Sequence, residues 1–564
     1  MTPDSPLSLK ELLLAPPRPD RGLEILDRRG RSIGARSWRE LGEIAEAQAG
    51  RLHRHGVQPE DRVLLCLPLG FSLLDCWLGS VLRGAWPAAV APAGVLGGKE
   101  QALAQVVHAA EALTPRVIVG STHLREQLTE RGDRAIAERV VTPEELEELT
   151  PVTGALPDIH PDQTAFLQLT SGSTGKRRAG VISHRAILHD TYASNLSIGQ
   201  PLGSTAAESL ERMVSWLPMH HDMGLVGGLL FSLRCGFDLT LMAPEAFLAR
   251  PRAWLQALAT GAPSLSPAPN FAYQLCAERV RDEELTGLDL SGWKAALVGA
   301  EMVRPETVRG FLERFESCGF SASSLRPCYG LAEATLAVTF DDRGEGPRFR
   351  RPPEGSTEGW ELEEVTCNGR PVADTELEVR APDGTVLGED KVGRLWVKAP
   401  SLCDGYYDDP NGTYESFDDG WLDTGDLAFL HDGELYPVGR HKEILVLRGH
   451  NVMPHELEWL ADEAAGGGGS ERCGAFAVAR DGSGEEPVLV MEVSGRDDAA
   501  LRALDSEVRS RLGRALGLPL ADLVFVRRGQ VPKTSSGKVR RAELRRLYLA
   551  QQLDRFELPS EESS

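Results

Sequence analysis

Two segments far apart in the chain constrain how it can fold. Residues 170–175 read Thr-Ser-Gly-Ser-Thr-Gly, and Lys538 ends the segment Pro-Lys-Thr-Ser-Ser-Gly-Lys at residues 532–538. A loop of hydroxyl side chains and glycines can surround phosphate oxygens, and a lysine can neutralise their charge. A protein that uses both segments at one site must bring together two distant parts of its chain.

The first of these segments is placed where a phosphate-binding loop is expected. It follows a predicted strand at residues 164–169, and Ser183 can cap a helix that begins near His184. A strand, a glycine-rich loop and a helix together can bind phosphate through backbone N–H groups. The loop is not a Walker A sequence, because Gly-x-x-x-x-Gly-Lys-[Ser/Thr] is absent. On its own the hexamer could equally be a solvated Ser/Gly linker.

The composition allows a large globular protein and argues against some partners. The chain has 564 residues, enough for two or more domains. Its formal net charge of -22 at pH 7 would repel phosphate backbones and anionic lipids, so we expect no nucleic-acid partner. The nine cysteines are scattered without a Cys-x-x-Cys pair, which favours reduced thiols in a cytoplasmic protein.

The longest apolar stretch covers residues 63–82. It contains Pro68 and Gly70, and Asp75 near its centre would be costly in a bilayer. A core strand followed by a buried helix explains the same residues, so we expect no integral membrane span.

Apolar strand-like runs alternate with amphipathic helical stretches through most of the chain. Strands are predicted at residues 62–67, 116–119, 164–169 and 295–298. This alternation is typical of α/β sheets with helices packed on their faces. Residues 368–397 contain short strands broken by a Pro-Asp-Gly turn, which predicts a smaller β region.

The chain changes character again after residue 440. A short strand at 444–447 precedes a helix that begins with Pro454, a residue favoured in the first helical turn. Further strands are predicted at 475–478 and 488–493. We therefore expect an α/β multi-domain protein. Residues 1–440 would form a large domain of α/β subdomains and a β subdomain, and residues 441–564 a small α+β domain.

Further motifs occur between the two opening segments. They are Trp-Leu-Pro-Met-His-His-Asp-Met-Gly-Leu at 216–225, Gly-Ala-Glu at 299–301, Tyr-Gly-Leu-Ala-Glu-Ala-Thr at 329–335, Thr-Gly-Asp at 424–426 and Gly-Arg-His-Lys-Glu at 439–443. In this order the set resembles the adenylate-forming (AMP-binding) superfamily of acyl-CoA synthetases, nonribosomal adenylation domains and fatty acyl-AMP ligases. The resemblance covers nearly the whole chain and is strongest to the fatty acyl-AMP ligases.

The resemblance implies a set of nucleotide-binding residues. The loop 170–175, with Arg178 after it, is expected around the phosphates of ATP. The segments that begin at residues 299 and 329 are expected at the adenine. Asp426 and Arg440 are expected at the ribose. The implied residues are Thr170, Ser171, Gly172, Ser173, Thr174, Gly175, Arg178, Gly299, Ala300, Glu301, Tyr329, Gly330, Asp426 and Arg440.

The resemblance also implies catalytic roles. Glu333 would help to hold Mg²⁺, a cation that prefers carboxylate and phosphate oxygens. His221 would lie at the mouth of the acyl pocket; adjacent histidines diverge, so His220 and His221 are not expected to chelate a metal. Lys538 would stabilise the charge that develops at the α-phosphorus. Lys442 would be the hinge about which the small domain moves.

The sequence departs from the family pattern at the phosphate loop. The family continues Thr-Gly-x-Pro-Lys-Gly, whereas this chain continues Lys-Arg-Arg-Ala-Gly after Gly175. Without a gap, Arg178 stands at the lysine position and Ala179 at the glycine position. With one extra residue, Gly180 would be the family glycine. The segment 341–365 is also shorter than the insertion typical of fatty acyl-AMP ligases.

The resemblance implies an acid–thiol ligase. A carboxylic acid, expected to be lipophilic, would react with ATP to give acyl-AMP. The acyl group would then pass to the pantetheine thiol of CoA or of a separate acyl carrier protein. Three alternatives stay open at this point. The altered loop could impair adenylation, so that the protein mainly transfers a preformed adenylate; the protein could be a non-catalytic adenylate-binding relative; or it could be a luciferase-type oxygenase.

Overall fold

The computed structural model describes residues 7–92, 99–154, 156–170, 178–199, 210–341, 344–351, 364–447, 450–466, 473–480, 484–493, 497–516, 520–534 and 538–556. The N-terminal part begins with α1 (Leu9–Leu14), β1 (Gly22–Leu26), β2 (Ser32–Ser37), α2 (Trp38–Arg54), β3 (Arg62–Leu65), α3 (Phe71–Leu82), β4 (Trp86–Ala89), α4 (Lys99–Leu113), β5 (Val117–Val119), α5 (Thr122–Arg131), α6 (Arg134–Ala137), β6 (Val140–Val141) and α7 (Pro143–Glu147).

The middle of the chain alternates strands and helices, as predicted. Its elements are β7 (Thr164–Leu169), β8 (Ala179–Ser183), α8 (His184–Ser197), β9 (Arg212–Ser215), α9 (Asp222–Gly224), a π-helical segment (Leu225–Leu230), α10 (Phe231–Cys235), β10 (Asp238–Met242), α11 (Pro244–Ala249), α12 (Arg252–Leu258), β11 (Ser264–Pro269), α13 (Asn270–Arg279), β12 (Trp293–Gly299), α14 (Pro305–Phe315), β13 (Leu325–Gly330) and β14 (Ala337–Phe340).

Short strands and then a smaller α+β unit follow. The strand-rich part consists of β15 (Phe349–Arg350), β16 (Val365–Thr366), β17 (Arg370–Pro371), β18 (Glu376–Arg380), β19 (Gly393–Lys398), α15 (Pro410–Ser416), β20 (Phe417–Asp418), β21 (Trp421–His431) and β22 (Glu434–Arg440). The last unit consists of β23 (Leu445–Leu447), β24 (His450–Val452), α16 (Pro454–Ala464), β25 (Cys473–Arg480), β26 (Gly484–Val493), α17 (Asp498–Leu516), β27 (Asp522–Arg527) and α18 (Arg541–Leu549).

The largest sheet sets the position of several sequence motifs. Its strand order is β17-β14-β13-β12-β11-β9-β10-β1-β2, and the strands from β13 to β1 are parallel to their neighbours. Parallel strands end at one edge of a sheet, where ligands commonly bind. The motifs at 299–301 and 329–335 follow β12 and β13, so the sheet brings them together at this edge.

A second parallel sheet, in the order β4-β3-β5-β6, packs beside the first. The apolar stretch 63–82 is the strand β3 followed by the helix α3, which is buried along most of its length, as predicted. Among the residues described, none of the helices is both long and apolar enough to cross a membrane.

The elements on either side of the glycine-rich loop agree with the prediction, and one further strand lies between them. Strand β7 occupies the predicted residues, and Ser183 caps α8 by accepting a hydrogen bond from Ala186 N at 3.2 Å. However, β8 lies between the loop and α8 and pairs with β7, with Leu169 opposite Ala179. The Ser183 cap and a helix that begins at His184 are therefore confirmed, whereas β8 is not among the predicted strands.

The C-terminal unit has a sheet and a core of its own. Strands β25 and β26 are antiparallel, β27 is parallel to β26, and α16 begins with Pro454 as predicted. Its buried residues, such as Leu457, Leu504 and Phe525, form a cluster separate from the core of the large domain. The mixed α/β architecture with a smaller C-terminal domain is confirmed, whereas the boundary at residues 440 and 441 stays a prediction.

We expect Phe311→Ala to destabilise the large domain strongly. The Phe311 ring is fully buried and lies 5.0 Å from the ring of Tyr273 and 5.2 Å from that of Phe320, between centroids. Removing a ring from such a cluster leaves a cavity and costs about 3–5 kcal/mol of unfolding free energy. Urea denaturation followed by tryptophan fluorescence measures the change. Tyr414, which is 87% exposed, supplies the control Tyr414→Ala, and an equal loss in both variants would contradict the expectation.

Candidate active site

The side chain of Asp426 is held from two sides. Tyr329 OH donates a hydrogen bond to Asp426 Oδ2 at 2.6 Å, and Arg440 Nε lies 3.1 Å from Asp426 Oδ1. The strand register explains the second contact, because Asp426 on β21 is directly opposite Arg440 on β22. Burial and the adjacent Asp426 carboxylate raise the pKa of Tyr329 well above its usual value, so its hydroxyl stays a donor.

The turn before Asp426 requires a glycine. Gly425 has φ of +73°, a conformation that other residues rarely adopt. Gly425 N donates to Asp423 Oδ1 at 3.0 Å, and Asp426 N donates to Thr424 Oγ1 at 3.1 Å. These bonds hold the Asp426 carboxylate in one direction before any ligand arrives.

The ends of β12 and β13 approach each other closely. A Cβ atom on Gly299 would lie 2.7 Å from Cys328 O, and one on Gly330 would lie 1.9 Å from Leu336 O. A larger residue at 299 would push β12 away from β13, and one at 330 would push β13 away from the segment that leads into β14. Ala300 follows with φ of +64°, and Glu301 Oε1 accepts a hydrogen bond from Phe271 N at 2.7 Å.

Glu333 is connected to the end of the phosphate loop through Tyr406. Tyr406 OH donates to Glu333 Oε1 at 2.9 Å, and the Arg178 guanidinium lies 4.8 Å from the centre of the same ring. Arg178 Nε also pairs with Asp409 Oδ2 at 3.2 Å. The cation that follows the loop is therefore anchored to a fixed tyrosine and to Asp409.

The phosphate loop is closed at its base, and its tip lies outside the described residues. Thr170 N donates to Arg178 O at 2.8 Å, which completes the hairpin. Of the predicted loop residues, only Thr170 and Arg178 are described; Ser171, Gly172, Ser173, Thr174 and Gly175 are not.

Lys538 of the small domain lies among charged residues of the large domain. The residue is half-buried, and burial of its ammonium among protein atoms lowers its pKa, as does nearby Arg440. The carboxylates of Glu301, Asp222 and Asp426 act in the opposite direction. The backbone fixes the position, because Lys538 N donates to Thr534 Oγ1 at 3.0 Å and Thr534 N donates to Lys538 O at 2.7 Å.

Asp222 belongs to this cluster, although the sequence analysis did not select it. Burial raises its pKa, the Lys538 ammonium lowers it, and the Glu333 carboxylate raises it further. Asp222 therefore links the carboxylate predicted to hold a metal with the lysine of the other domain. The sequence signal for Asp222 is its position in the His-Asp-Met-Gly-Leu motif, directly after His221.

His221 lies immediately before α9. Its carbonyl oxygen accepts hydrogen bonds from Gly224 N at 3.1 Å and Leu225 N at 2.9 Å. The rings of His220 and His221 have centroids 4.7 Å apart and are tilted by 44°. The part played by His221 at an acyl pocket stays a prediction.

A mostly apolar cavity opens from the same place. Ala300, Tyr329, Gly330 and Asp222 line it together with aliphatic and aromatic side chains. These include Ile198 directly after α8, Met213 of β9, Phe231 of α10, Leu265 of β11, Leu297 of β12 and Phe340 of β14. The cavity joins the charged cluster to an environment suited to hydrocarbon.

The predicted hinge residue lies at the start of the small domain. Lys442 is exposed in a short turn, His441–Glu443, that follows β22. The next residue is tied to the small domain, because Glu443 Oε2 accepts a hydrogen bond from Arg541 Nη1 at 2.7 Å. No movement is tested by these contacts, so the hinge stays a prediction.

The carboxylates do not form a ready-made metal site. In the part of the chain that is described, no group of three or more histidine, cysteine, aspartate or glutamate side chains could hold a metal ion. That Glu333 helps to hold Mg²⁺ stays a prediction.

Comparison with known proteins identifies the family. The model of the AMP-binding enzyme family matches residues 26–407. The chain belongs to the AMP-binding enzymes. It is an enzyme of the ligase class, and its motifs predicted both the family and the fold.

Two curated relatives and one solved structure show how far the similarity extends. A Caulobacter vibrioides protein, provisionally named an acyl-CoA synthetase, is 32% identical over 94% of this chain and 93% of its own. The Mycobacterium tuberculosis long-chain-fatty-acid–AMP ligase FadD23 is 30% identical over 92% of each chain. A structure from a study of fatty acyl-adenylate ligases of E. coli and L. pneumophila has a TM-score of 0.88, 28% identity and coverage of 97% of this chain and 98% of its own.

Proposed function

We propose that this AMP-binding enzyme activates a fatty acid with ATP to form acyl-AMP and pyrophosphate, and then transfers the acyl group to a pantetheine thiol. One observation carries the proposal: Asp222 and Tyr329, which donates a hydrogen bond to Asp426, both line the apolar cavity, and the Lys538 ammonium acts electrostatically on the Asp222 and Asp426 carboxylates. A cation, acidic nucleotide-binding groups and a hydrocarbon environment meet at one point. This is the combination that a reaction between a nucleotide and a lipophilic acid requires.

In the first step the carboxylate of the acid attacks the α-phosphorus of ATP. A P–O bond forms to the acyl oxygen, and the bond to the β-phosphate breaks to release pyrophosphate. Negative charge increases on the transferring group and on the leaving group, so positioning and charge stabilisation account for most of the catalysis. Lys538 would supply a cation, and two hydrogen bonds with Thr534 hold its backbone.

The nucleotide would be held by the pair Asp426 and Arg440 and by the strand ends. The Asp426 carboxylate can accept hydrogen bonds from both ribose hydroxyls, and Arg440 can reach a phosphate or the ribose. Tyr329 and the segment Gly299–Glu301 provide a flat surface and close backbone approach for adenine. The loop, with Thr170 and Arg178 at its base, would surround the outer phosphates.

Magnesium would be held by Glu333 together with the phosphates. When bound, it would neutralise phosphate charge. Tyr406 keeps the Glu333 carboxylate oriented by donating a hydrogen bond to one oxygen, which leaves the other oxygen available.

The acyl chain would occupy the cavity, with His221 near its mouth. The names of relatives support a fatty acid, since one is a long-chain-fatty-acid–AMP ligase and a solved neighbour is a fatty acyl-adenylate ligase. Those names differ in the acceptor, because another relative is named an acyl-CoA synthetase. We propose CoA or an acyl carrier protein as the acceptor, with Lys442 as the hinge between the domains 1–440 and 441–564.

The test of this function is acid-dependent pyrophosphate release from ATP with butanoic, dodecanoic, hexadecanoic and benzoic acids and phenylalanine. We expect turnover with the long-chain acids and loss of about 100-fold or more in kcat in Lys538→Ala, the size typical of removing a transition-state donor. Lys294→Ala is the control, because Lys294 is exposed on β12. Mass spectrometry with CoA and with a phosphopantetheinylated carrier identifies the acceptor. No turnover with any acid would refute the proposal.

We expect Asp426→Asn to weaken AMP binding by about tenfold or more, because hydrogen bonds to a charged group contribute about 1.5–3 kcal/mol. The variant also loses its attraction to Arg440. Isothermal titration with AMP measures the effect. Asp419→Asn makes the same change at an exposed position of β20–β21 and should bind as the wild type does. Equal affinities in the two variants would remove Asp426 from the nucleotide site.

The pH dependence of adenylation should report the lowered pKa of Lys538. The protonated amine is the active form, so kcat/KM for ATP should fall as pH rises through a pKa below the usual value of about 10.4. Tyr329 and Cys328 do not titrate there, since burial raises both pKa values, that of Cys328 to about 12.

Bound ATP adds negative charge near the amine, so the corresponding fall in kcat should occur at higher pH. Lys538→Arg keeps its charge and should lose the alkaline fall in kcat/KM, although its rate is lower. An unchanged alkaline fall in that variant would assign the titration to another group.

A further inference from the structure

An arginine of the large domain contacts the small domain close to the candidate active site. Arg304 lies between β12 and α14, and only 6% of its side chain is exposed. Its Nη1 is 3.6 Å from Asp462 Oδ2, and its Nη2 donates a hydrogen bond to Glu463 Oε1. Both carboxylates belong to α16 of the small domain.

A ring of the same helix completes the contact. The Arg304 guanidinium carbon lies 5.4 Å from the centre of the Trp459 ring. Residues 459, 462 and 463 are spaced three and four apart, so they share one face of α16. A planar guanidinium can stack on an aromatic ring and pair with carboxylates at once, which an ammonium does not do as well. We call this set of four residues the α16 dock.

The large-domain side of the α16 dock is held in place. Arg304 N donates to Asn270 Oδ1 at 3.1 Å, and the carbonyl of Val303 accepts a hydrogen bond from Thr366 Oγ1 at 2.7 Å. Glu306 Oε2 lies 3.4 Å from Arg304 Nε. The arginine is therefore held in place by residues of the large domain.

The same short segment also forms part of the candidate active site. It begins with Ala300 at the cavity and continues to Glu301, whose carboxylate acts on the Lys538 ammonium. Three residues later Arg304 contacts α16. The segment thus interacts with the small domain twice, by contact between Arg304 and α16 and electrostatically between Glu301 and Lys538.

We propose that Arg304 is a positioning residue for adenylation: it docks α16 so that Lys538, carried by the same small domain, reaches the candidate active site. Without Arg304, the docked orientation loses the guanidinium that pairs with Asp462 and Glu463 and lies over the Trp459 ring, which favours undocked orientations. The fraction of molecules with Lys538 in place then falls. The groups proposed to bind ATP and the acid belong to the large domain and are unaffected. What Lys538 does once in place rests on the proposed function, whereas the docking itself does not.

The first test compares adenylation kinetics in three variants. Arg304→Ala removes the cation, and Glu463→Gln removes one partner at a position that is 41% exposed, so it should not disturb folding. Arg281→Ala is the matched control, since Arg281 pairs with Glu283 and Glu284 within the large domain. We expect kcat to fall about tenfold or more in Arg304→Ala, and less in Glu463→Gln, with KM for ATP and acid within about twofold of the wild type. The control should keep wild-type values.

The second test measures the orientation of the domains directly. Spin labels at Glu313→Cys on α14 and Ser506→Cys on α17, both exposed positions, report the distance between the domains. We expect one narrow distance distribution in the otherwise wild-type protein and in Arg281→Ala, and a broader or displaced distribution in Arg304→Ala. A KM effect without a kcat effect, or a distribution unchanged in Arg304→Ala, would overturn the proposal.

The two tests separate this inference from the proposed function. If the wild type adenylates no acid, the proposed function fails, and the distance distributions still decide whether Arg304 docks the small domain. If the wild type adenylates and both dock variants match it in kcat and in distance distribution, the docking role fails while the proposed function stands.

Discussion

The arrangement of this enzyme depends on one ammonium group held among carboxylates where two domains meet. Burying a cation is costly unless opposite charges surround it, and Glu301, Asp222 and Asp426 of the large domain provide them for Lys538. The Arg440 guanidinium lowers the pKa of the same ammonium, and Arg440 is itself paired with Asp426. The cluster is therefore balanced by opposing charges. An anionic nucleotide would add partners for both cations.

The largest sheet determines where this cluster of charged side chains lies. Strands β11, β12 and β13 are parallel, so their carboxyl ends form one edge, and the close approach at Gly299 and Gly330 keeps that edge compact. The apolar cavity opens between this edge and α8. The antiparallel pair β21 and β22 then presents Asp426 and Arg440 from the other side. Each element contributes to the site through its end or its register.

Two connections hold the site from a distance. Tyr406 links the Glu333 carboxylate to Arg178 at the base of the phosphate loop. Arg178, which stands at the lysine position of the family pattern when no gap is allowed, thus has an aromatic ring to contact. The arginine side chain suits this position, because a guanidinium can stack over the ring while pairing with Asp409. On the opposite side the α16 dock holds the small domain through Arg304. The site is thus supported at the phosphate end and at the lysine end by arginine–aromatic contacts.

The sequence by itself determined the local elements and the family. The strand β7, the Ser183 cap and the first turn of α16 follow from short-range patterns, because periodicity, capping and proline geometry act between neighbours in the chain. Only the tertiary structure decided that β8 separates the loop from α8, that Asp222 faces Lys538, and that Arg304 docks α16. These features depend on packing between residues that are far apart in sequence. Burial decides which charged side chains have shifted pKa values, and burial cannot be read from a local sequence pattern.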